Sequence, residues 1–257
     1  MQRKNMSKNK GDKKMNIKID LHTHTVACGH AYSTFTEIVK EASDKKLEIV
    51  AITEHGPAHD PKGTTLDFFN TYRVLPDEFE GVRILKGCEV NITTNSGEID
   101  LPENLLKKMD IIIASFHTNS KKRGTVEENT QAYINAMQNP YIDIIGHPDD
   151  INNYPYCPEK LVKAAIENDV ALEVNNSSVL ARPGSGKLCI EMLKAAKKYG
   201  AKLSIGSDSH YHTSIGIFDY SIKLIEDLQI DKNKIINLSR ENLFNHLKRN
   251  HIKTKWL

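Results

Sequence analysis

Seven short runs rich in β-branched residues recur along this chain, at 17–25, 48–55, 82–92, 110–117, 143–147, 170–175 and 202–208, with helical signals between them. Strands that alternate with helices are joined by crossovers, which lay the strands parallel and put the helices outside. The helical signals are specific. Thr34-Phe-Thr-Glu37 and Thr125-Val-Glu-Glu128 carry the hydroxyl and carboxylate spacing of a capping box. Pro158 suits the first position of a helix before 159–168, and apolar residues at helical spacing over 187–199 are followed by Gly200. Residues 239–249 read as a terminal helix. Seven βα units in 257 residues fit one closed α/β barrel better than two open sheets. No linker rich in Pro, Gly or Ser divides the chain, so one domain over 17–257 is expected. Residues 1–16 hold six Lys or Arg and no hydrophobic periodicity, and are expected to form a disordered basic tail.

Composition removes several functions. Lys and Arg number 35 against 33 Asp and Glu, a net charge of +2 that gives no electrostatic case for nucleic acid or an anionic membrane as the main partner. No apolar run approaches the length of a membrane span. Cys28, Cys88, Cys157 and Cys189 are far apart, which argues against a zinc ribbon or a thioredoxin-type site and for free thiols. The polar first residues lack a signal peptide's apolar stretch, so the cytoplasm is the expected compartment.

The eleven histidines carry the chemistry, because so many stand where a strand ends. The first run finishes Asp20-Leu21-His22-Thr23-His24, an i, i+2 pair able to share one metal ion, and His30 follows in the loop. The next four runs end at His55, Glu89, His117 and His147, and the seventh ends Asp208-Ser209-His210. The sixth, ending Glu173-Val174-Asn175-Asn176, is expected to offer amides rather than strong ligands. In a parallel barrel these ends meet at one face. A single histidine there is ordinarily a hydrogen-bonded core or surface residue. Nine unpartnered polar groups are another matter: at about 1–3 kcal/mol each they would consume a typical stability of about 5–15 kcal/mol. Metal ions compensate directly. Nitrogen and oxygen donors suit Zn²⁺, Mn²⁺ or Fe²⁺, and two or three ions fit if a carboxylate bridges. Phosphate ester hydrolysis profits most from closely spaced cations, and no P-loop is present to hold phosphate otherwise.

The ordered set His22-x-His24, His30, His55, Glu89, His117, His147, Asp208-x-His210 resembles the PHP (polymerase and histidinol phosphatase) superfamily. Within it, HTVACGHAYST (24–34), AITEHGP (51–57), EVNNSS (173–178) and GSDSH (206–210) are similar to the YcdX-type phosphatases. The resemblance implies a distorted (β/α)7 TIM-like barrel with three divalent ions, usually zinc. Carried over, one ion takes His22, His24, Glu89 and Asp208, a second takes Glu89, His117 and His147, and a third takes His30, His55 and His210. Glu89 and Asp208 become the catalytic carboxylates, holding the metals and the hydroxide that attacks phosphorus. The implied partner is a small phosphorylated substrate, and a homo-oligomer is compatible with the sequence. Glu54 stands where these proteins commonly have Asp, and the loop after Asn176 is slightly shorter, which bears on substrate contacts.

Weaker signals surround this set. His59 and His212 lie in loops near ligands and are the available groups for leaving-group protonation, although exposed loop positions are the simpler reading. Arg182 is the expected substrate contact, with Lys187 and Arg73 as lesser ones. Ser177 and Ser178 lack a nucleophile elbow and suit turn hydrogen bonding. Cys28 and Cys88 adjoin ligands, and Cys88, next to Glu89 on a strand, should face the core. Asp20 and Glu54 are expected beside ligand histidines rather than on metal. His246 and His251 need no functional role. Alternatives within the superfamily are a histidinol phosphatase and a phosphodiesterase or exonuclease. An amidohydrolase calls for a bridging strand lysine that no strand end offers. A non-catalytic metal-bound scaffold ordinarily has lost ligands, and none is missing.

Overall fold

The computed structural model describes residues 15–247. Its strands are β1 (Ile19–Asp20), β2 (Ile49–His55), β3 (Glu78–Phe79), β4 (Val82–Asn91), β5 (Ile111–Ser115), β6 (Ile144–Ile145), β7 (Ala171–Asn175) and β8 (Leu203–Gly206). Seven of them form one parallel sheet in the order β1-β2-β4-β5-β6-β7-β8, and β3 pairs antiparallel with β4. The sheet curls into a nearly closed barrel, because Thr23 and Ser209 form a parallel bridge between the two edges. Helices α1 (Phe35–Asp44), α2 (Leu66–Thr71), α3 (Glu103–Leu106), α4 (Val126–Met137), α5 (Pro158–Glu167), α6 (Ser178–Ala181), α7 (Ser185–Tyr199), α8 (Asp219–Asp227) and α9 (Arg240–His246) follow the strands. Both expected capping boxes are present, at Thr34 with Glu37 and at Thr125 with Glu128. Pro158 opens α5, and Gly200 ends α7 in the left-handed region with φ 79°.

All seven expected strands are found, but two are much shorter than their β-branched runs. The reason is chemical: side chains take over the ladder. Beyond Asp20, the amide of Thr23 donates to Thr53 Oγ1 and that of Thr25 to Glu54, so these amides leave the β2 carbonyls, although the Thr53 amide still donates to the Thr23 carbonyl at 3.0 Å. Around β6 the amide of Ile112 donates to Asp143 and that of His147 to Glu173. The β3–β4 hairpin has no expectation behind it. Its two-residue turn, Glu80-Gly81, has positive φ at both positions (53° and 75°), as a tight hairpin requires, and Glu-Gly is a weak signal for it.

The inward face runs at period two along β2 and β4. Ile49, Ala51 and Leu85 form an apolar layer with Ile111, Ile113 and Ala171, sealed by Leu243 and Phe244 of α9 and by Leu247 just after it. Thr53, His55 and Glu89 continue the same face toward the polar end of the barrel. The edge between β8 and β1 is closed differently. Asn237 accepts from the Ile205 amide and donates to the carbonyls of Ile205 and Ile19, standing in for ladder bonds that the two strands do not make. Higher up, Asp20 accepts from the amides of Ser207 and Gly216.

Of the expected tail, residues 1–14 lie outside the described residues, as do 248–257, including His251; Met15 is buried in the core. Among the described residues no helix is long and apolar enough to cross a membrane.

His246 is structural, as expected. Lys202 Nζ, 3.4 Å from Nδ1, donates to the ring, leaving Nε2–H to donate to the Asp143 carbonyl at 2.9 Å. Burial lowers its pKa, so the folded protein keeps it neutral where the unfolded chain binds a proton. Stability present above about pH 6.5 is therefore lost on acidification, with a slope of up to about 1.4 kcal/mol per pH unit from this group. Urea denaturation of the metal-free wild type and His246→Gln between pH 5 and 7, approximately the window of histidine titration, should show a shallower decline for the variant; parallel curves would contradict the assignment.

Candidate metal centre

Each donor is delivered by a strand end or the turn after it. His55 closes β2, Glu89 lies near the end of β4, and His117, His147 and Asp208 stand two residues past β5, β6 and β8. His22 and His24 follow β1, and His30 follows a 3₁₀ turn capped by Thr25. His147 and Asp208 hold positive φ (26° and 53°), a conformation that costs about 1–3 kcal/mol and that clusters at functional sites.

Glu89 is wholly buried at the centre of the group. Its Oε1 lies 2.7 Å from His147 Nε2 and 3.4 Å from His117 Nε2. Its Oε2 lies 2.7 Å from His55 Nδ1, 3.3 Å from His22 Nε2 and 3.5 Å from His24 Nε2. Asp208 Oδ1 is 3.4 Å from His24 Nε2, 3.7 Å from His22 Nε2 and 3.6 Å from His210 Nδ1. His30 and His210 bring their Nε2 atoms to 3.0 Å. All nine sequence-derived donors meet in one cluster.

Whether these residues fit metal ions can be judged from their hydrogen bonding. His22 Nε2, both ring nitrogens of His24, His55 Nδ1 and Glu89 Oε2 are buried without a hydrogen-bond partner. Leaving such atoms unsatisfied costs about 1–3 kcal/mol each, and here they converge. The triplets His22–His24–Glu89, His22–His147–Asp208 and His24–His55–His210 each place donor atoms within 4.8 Å of one another. A nitrogen and oxygen donor set at this spacing suits divalent transition ions. The expected grouping of His30, His55 and His210 differs in one respect: His55 Nδ1 lies 2.7 Å from Glu89 Oε2.

The electrostatics agree with the geometry. Burial pushes the Glu89 carboxyl up, but His117, His22, His55 and His147 outweigh it and hold it well below the usual range. Asp208 is likewise lifted by burial and held well below its usual value by His22, His24 and Arg182. Burial and the neighbouring His210 bring His24 down to about 3, so it presents a neutral ring.

The residues behind the donors correct the sequence reading. Asp20 and Glu54 touch no imidazole ring. Asp20 accepts the His22 amide and braces the barrel edge, and Glu54 accepts the amide and hydroxyl of Thr25, holding the loop to His30. The partners of the rings are Glu173 and Asn91, neither foreseen. Glu173 Oε1 accepts from His22 Nδ1 at 2.8 Å, so the sixth strand supplies a carboxylate and not amides alone. Its two-residue spacing from Asn175, on the same face of β7, was the available signal; a Cβ at Gly206 would collide with it. Asn91 Oδ1 accepts from His117 Nδ1 at 2.7 Å.

His59 is no exposed loop residue. It stacks on His55 with ring centroids 3.8 Å apart and 6° between planes, edge-on to His117, and burial then His117 lower its pKa to about 4. His59 Nδ1 is buried without a hydrogen-bond partner, and His30, His55 and His59 bring donor atoms within 4.8 Å of one another, so His59 stands beside the nine as a further nitrogen donor. His212 instead pairs with Ser33. Arg182 lines the cavity, 3.3 Å from Asp208 Oδ2 and 3.0 Å from Ser178 Oγ, which in turn bonds Asp149. Lys187 is exposed on α7, and Arg73 lines a separate cavity beside Lys108. Ser177 Oγ donates to the Ser207 carbonyl, a bond between two loops and not the expected turn hydrogen bond, and Cys88 packs in the outer core. Cys28 is buried, its thiol pushed up to about 11 by burial, and it lies near His30 and His210.

The PHP domain family model matches residues 20–177. The chain belongs to the PHP domain family. A probable phosphatase of Clostridium novyi is 44% identical over 235 residues, spanning 91% of this chain and 96% of that protein. One of Caldanaerobacter subterraneus subsp. tengcongensis is 44% identical over 240 residues, 93% of this chain and 94% of the relative. In fold, this PHP chain is similar to the histidinol phosphate phosphatase of Lactococcus lactis subsp. lactis, a structure with zinc, L-histidinol and phosphate. The TM-score is 0.62 at 21% identity, covering 83% of this chain and 94% of that one. The nearly closed parallel barrel is thus a PHP-type, TIM-like barrel.

Proposed function

We propose that this PHP protein is a metal-dependent phosphatase that hydrolyses phosphate monoesters of small molecules at a trinuclear, zinc-type centre. The observation that carries the reading is the knot of buried, unpartnered donor atoms around Glu89. His22, His24, Glu89 and Asp208 would hold one ion, Glu89, His117 and His147 a second, and His30, His55 and His210 a third. When bound, such ions neutralise phosphoryl oxygens and bring the pKa of a water towards neutrality.

The chain's own residues prepare that chemistry. Glu173 fixes the proton of His22 on Nδ1 and Asn91 fixes that of His117, so both rings turn an Nε2 lone pair inward. Asn175 donates to Asp208 Oδ2 at 3.2 Å and Arg182 to the same oxygen, leaving Oδ1 toward the histidines. Arg182, anchored by Asp208 and Ser178, keeps further N–H groups for a phosphoryl oxygen at the cavity wall. The nearly neutral chain and the apolar wall of the cavity favour a small ester over a long nucleic acid.

The test is phosphate release from an aryl phosphate monoester and the matching diester by zinc-loaded protein, with and without chelator. Monoester turnover that chelator abolishes and Zn²⁺ or Mn²⁺ restores is expected. Turnover of the diester alone would replace the reading with a phosphodiesterase, and chelator-insensitive turnover would remove the metal from it.

A further inference from the structure

The donor cluster opens into a cavity of about 540 Å³ lined by residues of two chemistries. Imidazoles, Asp208 and Arg182 make up one group of lining residues; Leu180, Ala181 and Tyr211 make up the other. Leu180 is 88% exposed, the highest value for a large hydrophobic among the described residues, and Tyr211 is 49% exposed. Exposed apolar side chains gathered at a cavity mouth mark a contact surface, whereas scattered ones do not.

These side chains are presented from braced backbone. The short helix α6 carrying Leu180 is tied down at Ser177 to Ser207, at Ser178 to Asp149, and at Arg182 to Asp208. The Tyr211 carbonyl accepts from both Ser209 and Ser214 hydroxyls. Apolar side chains held on braced backbone, in a cavity that also holds polar donors, suit a ligand with one polar and one apolar part. Its charge points the same way. Among the described residues lining the cavity there is no lysine, and the arginine is already paired with Asp208. A second phosphate or a carboxylate on the ligand would find no free side-chain cation on this wall.

We infer that the esters taken by this site carry an uncharged, apolar alcohol part seated against Leu180, Ala181 and Tyr211. The inference rests on the phosphatase reading for the position of the phosphoryl group and adds the class of molecule attached to it. It excludes nucleotides, bisphosphates and phosphorylated acids as the preferred ligands.

Binding rather than turnover tests it, so that the two readings fail separately. Calorimetry on zinc-loaded protein would compare 2-phenylethylphosphonate, ethylphosphonate and 2-carboxyethylphosphonate. The phenyl compound is expected to bind at least about tenfold more tightly than the ethyl one, and the carboxylate no more tightly. Leu180→Ser and Tyr211→Ser should each cut the phenyl-to-ethyl ratio to about threefold or less, whereas Val74→Ser, at an exposed residue outside the cavity, should leave it. A wild-type ratio near one, no binding of any phosphonate, or a ratio that survives both cavity variants overturns the inference. A self-associating protein that Leu180→Ser dissociates with the ratio unmoved also overturns it, and assigns the surface to contact between copies. Selective phosphonate binding without hydrolysis of the matching phosphates would overturn the phosphatase reading while upholding the apolar wall.

Discussion

Glu89→Gln is expected to lower phosphate release by about 10³-fold or more and to remove about two of the three proposed ions. No other side chain touches so much of the cluster. One carboxylate oxygen faces His117 and His147, and the other faces His22, His24 and His55. An amide of the same shape offers one acceptor where two are needed, and turns its N–H₂ toward rings whose lone pairs already point inward. The surrounding imidazoles also lose the charge that offsets their own. Elemental analysis of the purified variant, beside its rate, checks the expectation. Full metal content with turnover within about tenfold of wild type would remove Glu89 from the bridging role proposed for it.

Chelation should destabilise the fold as well as silence it. Five donor atoms lie buried without partners, and ions that satisfy them bind the folded chain alone. An ion present at a thousand times its dissociation constant contributes about 4 kcal/mol, and for a domain of this size 1 kcal/mol moves the melting temperature by roughly 2–4 °C. Removing a single ion should therefore lower the melting temperature by about 10 °C, and removing all of them by more. Calorimetric scans with and without chelator, followed by zinc titration back to the original curve, measure this. Superimposable scans would mean that the cluster satisfies itself without metal.

The donors were legible because each follows a β-branched run, and a parallel barrel gathers such ends whatever lies between them. His22, His55, His117 and Asp208 are far apart in sequence yet needed no contact information to be grouped. What escaped notice had no such marker. Glu173 and Asn91 lie in strands as Glu89 does, but each serves the outer nitrogen of a ring from another strand end, a pairing that spacing along the chain does not show. His59 lies in a loop whose path depends on the Gly56 amide bonding to the Glu89 carbonyl, a long-range contact. Asp20 and Glu54 were placed beside the right histidines in sequence, but their oxygens serve backbone amides of His22, Ser207, Gly216 and Thr25 and no imidazole ring. The short β1 and β6 follow from the same substitution of side chain for carbonyl.

The seam closed by Asn237 has a bearing on when the protein becomes competent. His22 and His24 stand on one edge of that seam, Asp208 and His210 on the other, and the residue that stitches the edges comes later still. A nascent chain leaving the ribosome from its N-terminus exposes its first imidazoles while their carboxylate partner is still unmade. Partial chains can offer isolated histidines to an ion, but not the enclosed set. Capture of a full complement of ions is thus tied to completion of the ring, and the centre records that synthesis and closure have both finished.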